Sequence, residues 1–294
     1  MPYAEAPWIF KGKALYQLQL VKESEARKHT PAELPLVSLM GYTLGGFYLA
    51  RYSDSPVGAF DELVVISGLV WNFPTSCAWA ARVYVNNSAA RNHGRKDVGL
   101  PSRLASFSET GSPVKHKNPS WWSPTTLNGV ASESQPGQRH TQASAAEAAS
   151  SSTGSSSRGI TLRNVERRHW AQPWRKNSEQ LQSPVCTIGL PDAAKGWKGP
   201  RLNLSLPSFS GNTLDQPGLL QYACQLKTNI RPSSAATVST PDGAKDSDLE
   251  VMAGVLGGRP ILALCFEDME MKVNAPAAYK LRAPSQQLAP LTAV

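Results

Sequence analysis

Alternation between polar and apolar positions dominates this chain, and it predicts strands. Residues 13–22 set Gln and Leu against each other residue by residue, as a half-buried strand does. Residues 36–52 predict a long strand with a glycine break at Gly45-Gly46, and residues 62–71 and 78–86 are rich in Val, Ile and aromatic side chains that suit a pleated sheet. Further strands are predicted over 104–107, 160–170, 184–190, 201–206, 219–231 and 260–273. Helical patterning is scarce. Residues 23–30 form one short helix, stopped by Pro31, because a proline ring disfavours the helical conformation of the residue before it. Residues 88–97 form a second, with Ser88 as its N-cap and Gly99 just beyond its end. Pro101-Ser102-Arg103 is a turn into the next strand, 232–249 a polar loop, and the tail after Tyr279 is loose.

Many strands of regular spacing with two or three short helices predict an α+β fold, predominantly β, as a barrel or packed sheets in one domain spanning 1–294. The 23 prolines and 22 glycines agree with frequent turns. One stretch breaks the pattern. Residues 131–158 hold nine Ser and six Ala with almost no large apolar side chain, so they cannot bury enough surface to offset the entropy of ordering. They predict a disordered insertion. Its deletion should leave the melting temperature within about 2 °C of the full chain, as expected for a ΔΔG of roughly 0.5 kcal/mol or less; loss of a cooperative transition would show that it packs on the domain.

The formal charge of +8 raises the question of an acidic partner. Nine Lys/Arg and four Glu fall between Gly111 and Ser183, so five of the eight excess charges lie in or beside the insertion. Arg163, Arg167, Arg168, Arg175 and Lys176 interleave with Trp170 and Trp174, a pattern that can stack bases, but it equally describes a solvated strand face with its tryptophans inside. The second description is adopted, with no nucleic-acid partner. Cys77, Cys186, Cys224 and Cys265 are widely spaced, form no CxxC pair and sit among apolar neighbours, which reads as buried thiols in a reducing compartment. The five histidines show no metal-ligand spacing, and Gly254 to Gly258 lacks the spacing of a dinucleotide loop, so neither a metal nor another cofactor is expected. No run approaches the ~20 apolar residues of a membrane span, and residues 1–7 resemble neither a secretory signal nor a transit peptide. A soluble intracellular protein is expected, cytoplasmic on that ground.

The chemistry-bearing run is Gly94-Arg95-Lys96-Asp97-Val98-Gly99-Leu100-Pro101-Ser102-Arg103-Leu104-Ala105. It resembles the active-site segment of the acetoacetate decarboxylase family, roughly G-R-E-x-x-x-x-P-K-K-L-G. Gly94, Arg95, Pro101 and Leu104 fall in register, and the family's two adjacent lysines fall on Ser102 and Arg103. In the family the first lysine forms a Schiff base with a β-keto acid and the second lowers its pKa. Serine cannot form an iminium. Gly58-Ala59-Phe60-Asp61-Glu62-Leu63-Val64-Val65 is similar to the segment carrying the family's active-site glutamate, which falls on Glu62, and Lys22 is the nearest counterpart of its active-site arginine. Gly41 to Phe47, Phe60 to Ile66, Trp71 to Val83 and Leu206 to Gly211 are similar to one plant branch of this superfamily, whose members are required to make the xanthophyll neoxanthin.

The resemblance implies an acetoacetate decarboxylase-like closed β-barrel core with a central cavity, without decarboxylase activity. Glu62 and Arg103 are the tentative catalytic pair, and Lys22 and Ser102 complete the cavity, all four converging on one site. An apolar wall of Phe60 and Leu63 to Val65 would raise the Glu62 pKa by desolvation, as suits a general acid or base; Glu62 paired with Arg103 or Lys22 as a structural ion pair is the other outcome. Two functions follow from the resemblance. One is a barrel that binds a carotenoid or other lipophilic small molecule, or steadies a membrane-bound neoxanthin synthase component. The other is an enzyme that isomerises a carotenoid epoxide, violaxanthin to neoxanthin, without a redox cofactor. The pathway points to the chloroplast, where the first residues do not.

Overall fold

The computed structural model describes residues 4–110, 158–165, 183–191, 199–241 and 247–280. In chain order these are β1 (Trp8–Lys22), α1 (Glu23–Lys28), β2 (Ser38–Leu39), β3 (Tyr42–Asp54), β4 (Phe60–Asn72), β5 (Thr75–Val85), α2 (Ser88–Lys96) and β6 (Ser102–Thr110). Then follow β7 (Gly159–Asn164), β8 (Ser183–Gly189), β9 (Arg201–Gly211), β10 (Leu219–Ser233), β11 (Thr237–Ser239), α3 (Ser247–Val251), a π-helical turn Met252–Leu256, β12 (Arg259–Val273) and β13 (Ala277–Ala278). Most of the predicted insertion, and Arg167, Arg168, Trp170, Trp174, Arg175 and Lys176, lie outside the described residues.

Seven strands close on themselves in the order β5-β4-β3-β1-β12-β10-β9 and back to β5. The closing contact is a short parallel one, Ala78↔Ser208 and Trp79↔Phe209. This is the closed barrel expected from the resemblance. The far half of β5 leaves the ring: Val83 to Val85 pair in parallel with Ser102 to Leu104 of β6, which leads into a second sheet of β6, β7, β8 and β11. Parallel neighbours need a crossover, and α2 supplies it. One apolar cluster lies on the inner side of the barrel, with Phe10, Tyr48, Tyr52, Phe60 and Val83. Another lies on the outer side, where Leu15, Phe47, Leu63 and Tyr84 meet Ile160, Ile188, Met252 and Val255.

Several local features differ from the sequence expectation. The long strand expected within 36–52 is β3, and the short β2 turns through Met40-Gly41 into it. Gly46 lies at φ +132, and a Cβ there would sit on the Gln17 carbonyl oxygen, so β1 and β3 pack closely only because no side chain intervenes. The cap of α2 is Asn87 and not Ser88, its Oδ1 accepting from the amides of Ala89 at 2.8 Å and Ala90 at 3.2 Å. Ser102 is the first residue of a strand, not the middle of a turn. The polar loop predicted over 232–249 contains β11 and the start of α3, whose apolar continuation Val251, Met252, Val255 and Leu256 is buried.

The alternation in β1 is inverted. Gln17 and Gln19 are buried, while Leu18 and Leu20 are half-buried. Gln17 exchanges hydrogen bonds with the backbone of Ala236, donating from Nε2 at 3.2 Å and accepting on Oε1 at 2.7 Å. Gln19 Nε2 donates to the Leu256 and Gly258 carbonyls. The amides thus tie β1 to loops on the outer face, leaving the leucines to face the barrel's interior.

Candidate functional site

The barrel encloses a cavity of about 260 Å³. Its wall is built from successive strands: Tyr48 and Tyr52 from β3, Glu62, Val64, Ile66 and Leu69 from β4, Ser76, Ala78 and Ala80 from β5, and the consecutive Leu206 to Phe209 from β9. Helix α2 lies across one end and contributes Ala90, His93 and Gly94. The helix is fixed there by Arg95, whose Nε donates to Asp215 Oδ2 at 2.6 Å, and by His93, whose Nδ1 lies 2.8 Å from Asp97 Oδ2 while its ring meets Trp8 edge-on.

Glu62 is the only carboxylate among the described lining residues. It sits on β4 opposite Ala50 of β3 and Val85 of β5. Protein surrounds the carboxyl, although the residue keeps some accessible surface because it faces the cavity. Burial pushes its pKa up to about 7, against the hydrogen bond that Tyr52 Oη donates to Oε2 at 3.0 Å. Tyr48 extends this row on the same face of β3, and its hydroxyl donates to Met269 Sδ at 2.9 Å. Burial raises both phenols above their ordinary range, so they stay protonated near neutral pH. Burial likewise pushes the Cys224 thiol up to about 12, which removes it as a nucleophile. All four cysteines are free.

Asp61, next to Glu62, points the opposite way. Arg51 grips it through two hydrogen bonds of 2.7 and 3.1 Å, and Asn86 adds one of 3.2 Å. A bidentate guanidinium–carboxylate pair across β3 and β4 holds the register that keeps Glu62 inside. Sequence patterning missed Tyr48, Tyr52 and Asp61. The spacing of Tyr48, Ala50 and Tyr52 puts them on one strand face, but which face is inside depends on register with a strand whose sequence lies further on.

The four residues expected to converge do not. Glu62 lines the cavity. Ser102 is buried but lies behind the wall: a Cβ on Gly94 of α2 would come 2.5 Å from its Oγ, so the hydroxyl packs under the helix. Arg103 is half-buried beside Tyr84, and strand alternation turns it toward the outer cluster, away from the cavity. Lys22 is exposed at the last position of β1, opposite Tyr42. The expectation carried the family's two adjacent lysine positions onto Ser102 and Arg103 and placed both at the cavity. A strand sends neighbours to opposite faces. No lysine lines the cavity among the described residues.

No family model matches the chain. It is 42% identical over 292 residues to "Protein NEOXANTHIN-DEFICIENT 1" of Oryza sativa subsp. japonica, covering 92% of this chain and 88% of the relative. The protein of the same name from Arabidopsis thaliana is 39% identical, with 93% and 94% covered. Among solved structures, an acetoacetate decarboxylase from Legionella pneumophila superposes with a TM-score of 0.53 at 10% identity, covering 95% of this chain and 89% of that one. At that identity the likeness concerns the fold alone.

Proposed function

Because the chain belongs to the NEOXANTHIN-DEFICIENT family, on an acetoacetate decarboxylase-like fold, we propose that it serves neoxanthin biosynthesis by receiving the oxygenated end group of a xanthophyll in its barrel. The family name ties its members to this pathway. The observation that carries the reading is a cavity walled mostly by apolar and aromatic side chains, in which Glu62, bonded to Tyr52, is the one carboxylate among the described lining residues. At about 260 Å³ it is slightly smaller than most ligand pockets, roughly 300–1,000 Å³. That suits one cyclic end group, with the polyene left to extend outward. A protonated Glu62 would donate a hydrogen bond to the ring oxygen in an environment without competing water.

A second reading is favoured by the Glu62 pKa of about 7. A carboxyl titrating near neutrality is matched to proton transfer in both directions. The isomerisation closes on one such group. Glu62 gives its proton to the epoxide oxygen as the C–O bond opens. The resulting carboxylate then removes a proton from the neighbouring chain carbon, forming the allene and restoring the acid. Violaxanthin and neoxanthin are isomers, so nothing else is consumed.

Purified protein incubated with violaxanthin in mild detergent, with pigments separated by chromatography, tests both readings. Retention of unchanged violaxanthin supports the binding role, and conversion supports the isomerase; protein that neither retains nor converts the pigment would sink both readings. The same preparation treated with acetoacetate and borohydride should gain no covalent adduct, since Ser102 replaces the Schiff-base lysine. A reduced adduct on a lysine near the cavity would overturn that expectation.

A further inference from the structure

The cavity wall does not stop at the cavity. On β4, Glu62, Val64, Ile66 and Leu69 face inward. The next residue on the face of Leu69 is Trp71, which pairs across the sheet with Ser76, itself a lining residue. Trp71 is 49% exposed, and Phe73, in the hairpin that follows, is 76% exposed. This hairpin lies at the opposite end of β5 from α2, so it marks the end of the barrel that the helix leaves uncovered.

Neighbouring strands repeat the pattern. Leu18 and Leu20 of β1 continue the inward row of Tyr16 and are half-buried, as is Leu44 of β3. Leu262 of β12, opposite Leu18, is exposed. The β2–β3 hairpin adds Leu39 at 76% and Met40 at 89% exposure, with the phenol of Tyr42 beside them. Isolated exposed apolar side chains are ordinary; a set of them gathered at one barrel end, continuous with an apolar cavity, marks a contact surface.

We propose that this end of the barrel docks on a lipid bilayer, with Trp71, Phe73, Leu39 and Met40 entering the interface so that a lipophilic ligand passes between membrane and cavity without crossing water. The surface has the chemistry that an interface selects. Indole and phenol rings are apolar bodies with polar tips, which favour the headgroup level. Lys22, opposite Tyr42, and Arg259, opposite Leu20, are exposed at the same end and can lay their stems along apolar surface while their charges reach phosphates. A protein seated here would stopper the route to the cavity, whereas a bilayer extends it. The ligand-passage half of the proposal rests on the reading that the cavity takes a lipophilic end group; the docking half rests on the surface alone.

The two halves separate experimentally. Full-length chain is floated with vesicles of phosphatidylcholine, with and without phosphatidylglycerol, in the absence of pigment. The protein should float with the vesicles, more with the anionic lipid. The double variant Trp71→Ser/Phe73→Ser, with an unchanged melting curve, should partition about a hundredfold less, as expected for two large apolar side chains leaving an interface. Pigment binding in detergent is measured in parallel. Pigment uptake without flotation would overturn the docking and leave the ligand reading standing; flotation without uptake would do the reverse. Flotation equal in wild type and double variant would also overturn the proposal. So would concentration-dependent self-association that the double variant abolishes while the wild type ignores vesicles, which would make a second copy the occupant. Flotation that begins only after residues 281–294 are deleted would make the chain's own tail the occupant.

Discussion

Glu62→Gln should make the protein more stable than the wild type at alkaline pH while abolishing its ability to rescue a neoxanthin-deficient plant. The carboxyl's ordinary pKa of 4.5 becomes about 7 in the folded chain, driven by burial and opposed by Tyr52. Between those values the unfolded chain has released the proton and the folded chain still holds it. Stability is therefore fully present below the unfolded value and is lost as pH rises through the folded one. The difference corresponds to about 3 kcal/mol of stability present at pH 4 and absent at pH 8. Glutamine keeps an oxygen to accept from Tyr52 but carries no proton to lose, so the variant should lack this slope. For a domain of this size the Tm difference between variant and wild type should widen by on the order of 6–12 °C in favour of the variant between those pH values. Comparing the two proteins cancels other titrating groups, His29 among them, whose pKa burial lowers. Parallel pH profiles would mean that the Glu62 carboxyl is already ionised at low pH in the folded chain. In that case neither hydrogen-bond donation nor proton transfer could be assigned to it near neutrality.

How much of this site could be read in the sequence depends on what each residue's placement required. Strand existence was legible wherever β-branched and aromatic residues concentrate, as in β4 and β5, because that patterning is local. Glu62 came from the resemblance, which carries the family's glutamate onto this position, and its apolar neighbours then supplied the reason for a raised pKa. Barrel closure came only from the resemblance, since the closing contact joins Trp79 to Phe209 across 130 positions. The binary pattern of β1 misled. Gln17 and Gln19 look like a solvent face, and only the carbonyls of Ala236, Leu256 and Gly258, more than 200 residues away, show where their amides are used. Ser102 and Arg103 were placed at the cavity only by the resemblance, and the register of β6, with Ser102 beside Val83 and Arg103 beside Tyr84, sends the two to opposite faces. Cavity tyrosines were hidden for a similar reason, because strand register, and not composition, selects which face of β3 is inside.

Phe209→Ala should be the most damaging single change at the barrel's seam. Strand β9 completes the ring through only two residue pairs with β5, and Phe209 is one of the four residues in them. Its side chain is fully buried among Leu34, Val70, Cys77 and Trp79, meets Tyr279 edge-on at 4.6 Å, and also forms part of the cavity wall. The backbone end of β9 is anchored separately: Ser210 Oγ donates to the Val98 carbonyl at 2.6 Å, and the Gly211 amide to Gly99 at 2.9 Å. Truncation therefore leaves the strand tethered but removes the apolar plug between seam and cavity. Loss of a buried phenyl ring typically costs about 3–5 kcal/mol, a large part of the roughly 5–15 kcal/mol that holds a domain together. The expected result is a Tm lower by on the order of 10 °C, together with weakened pigment retention, because water gains a path to Glu62. Phe209→Leu, which restores most of the volume, should recover most of both. Leu214→Ser, on the same β9–β10 connection but 98% exposed, should change neither. A Phe209→Ala protein that melts with the wild type and still retains pigment would show that the tethers from the Ser210 hydroxyl and the Gly211 amide close the barrel by themselves.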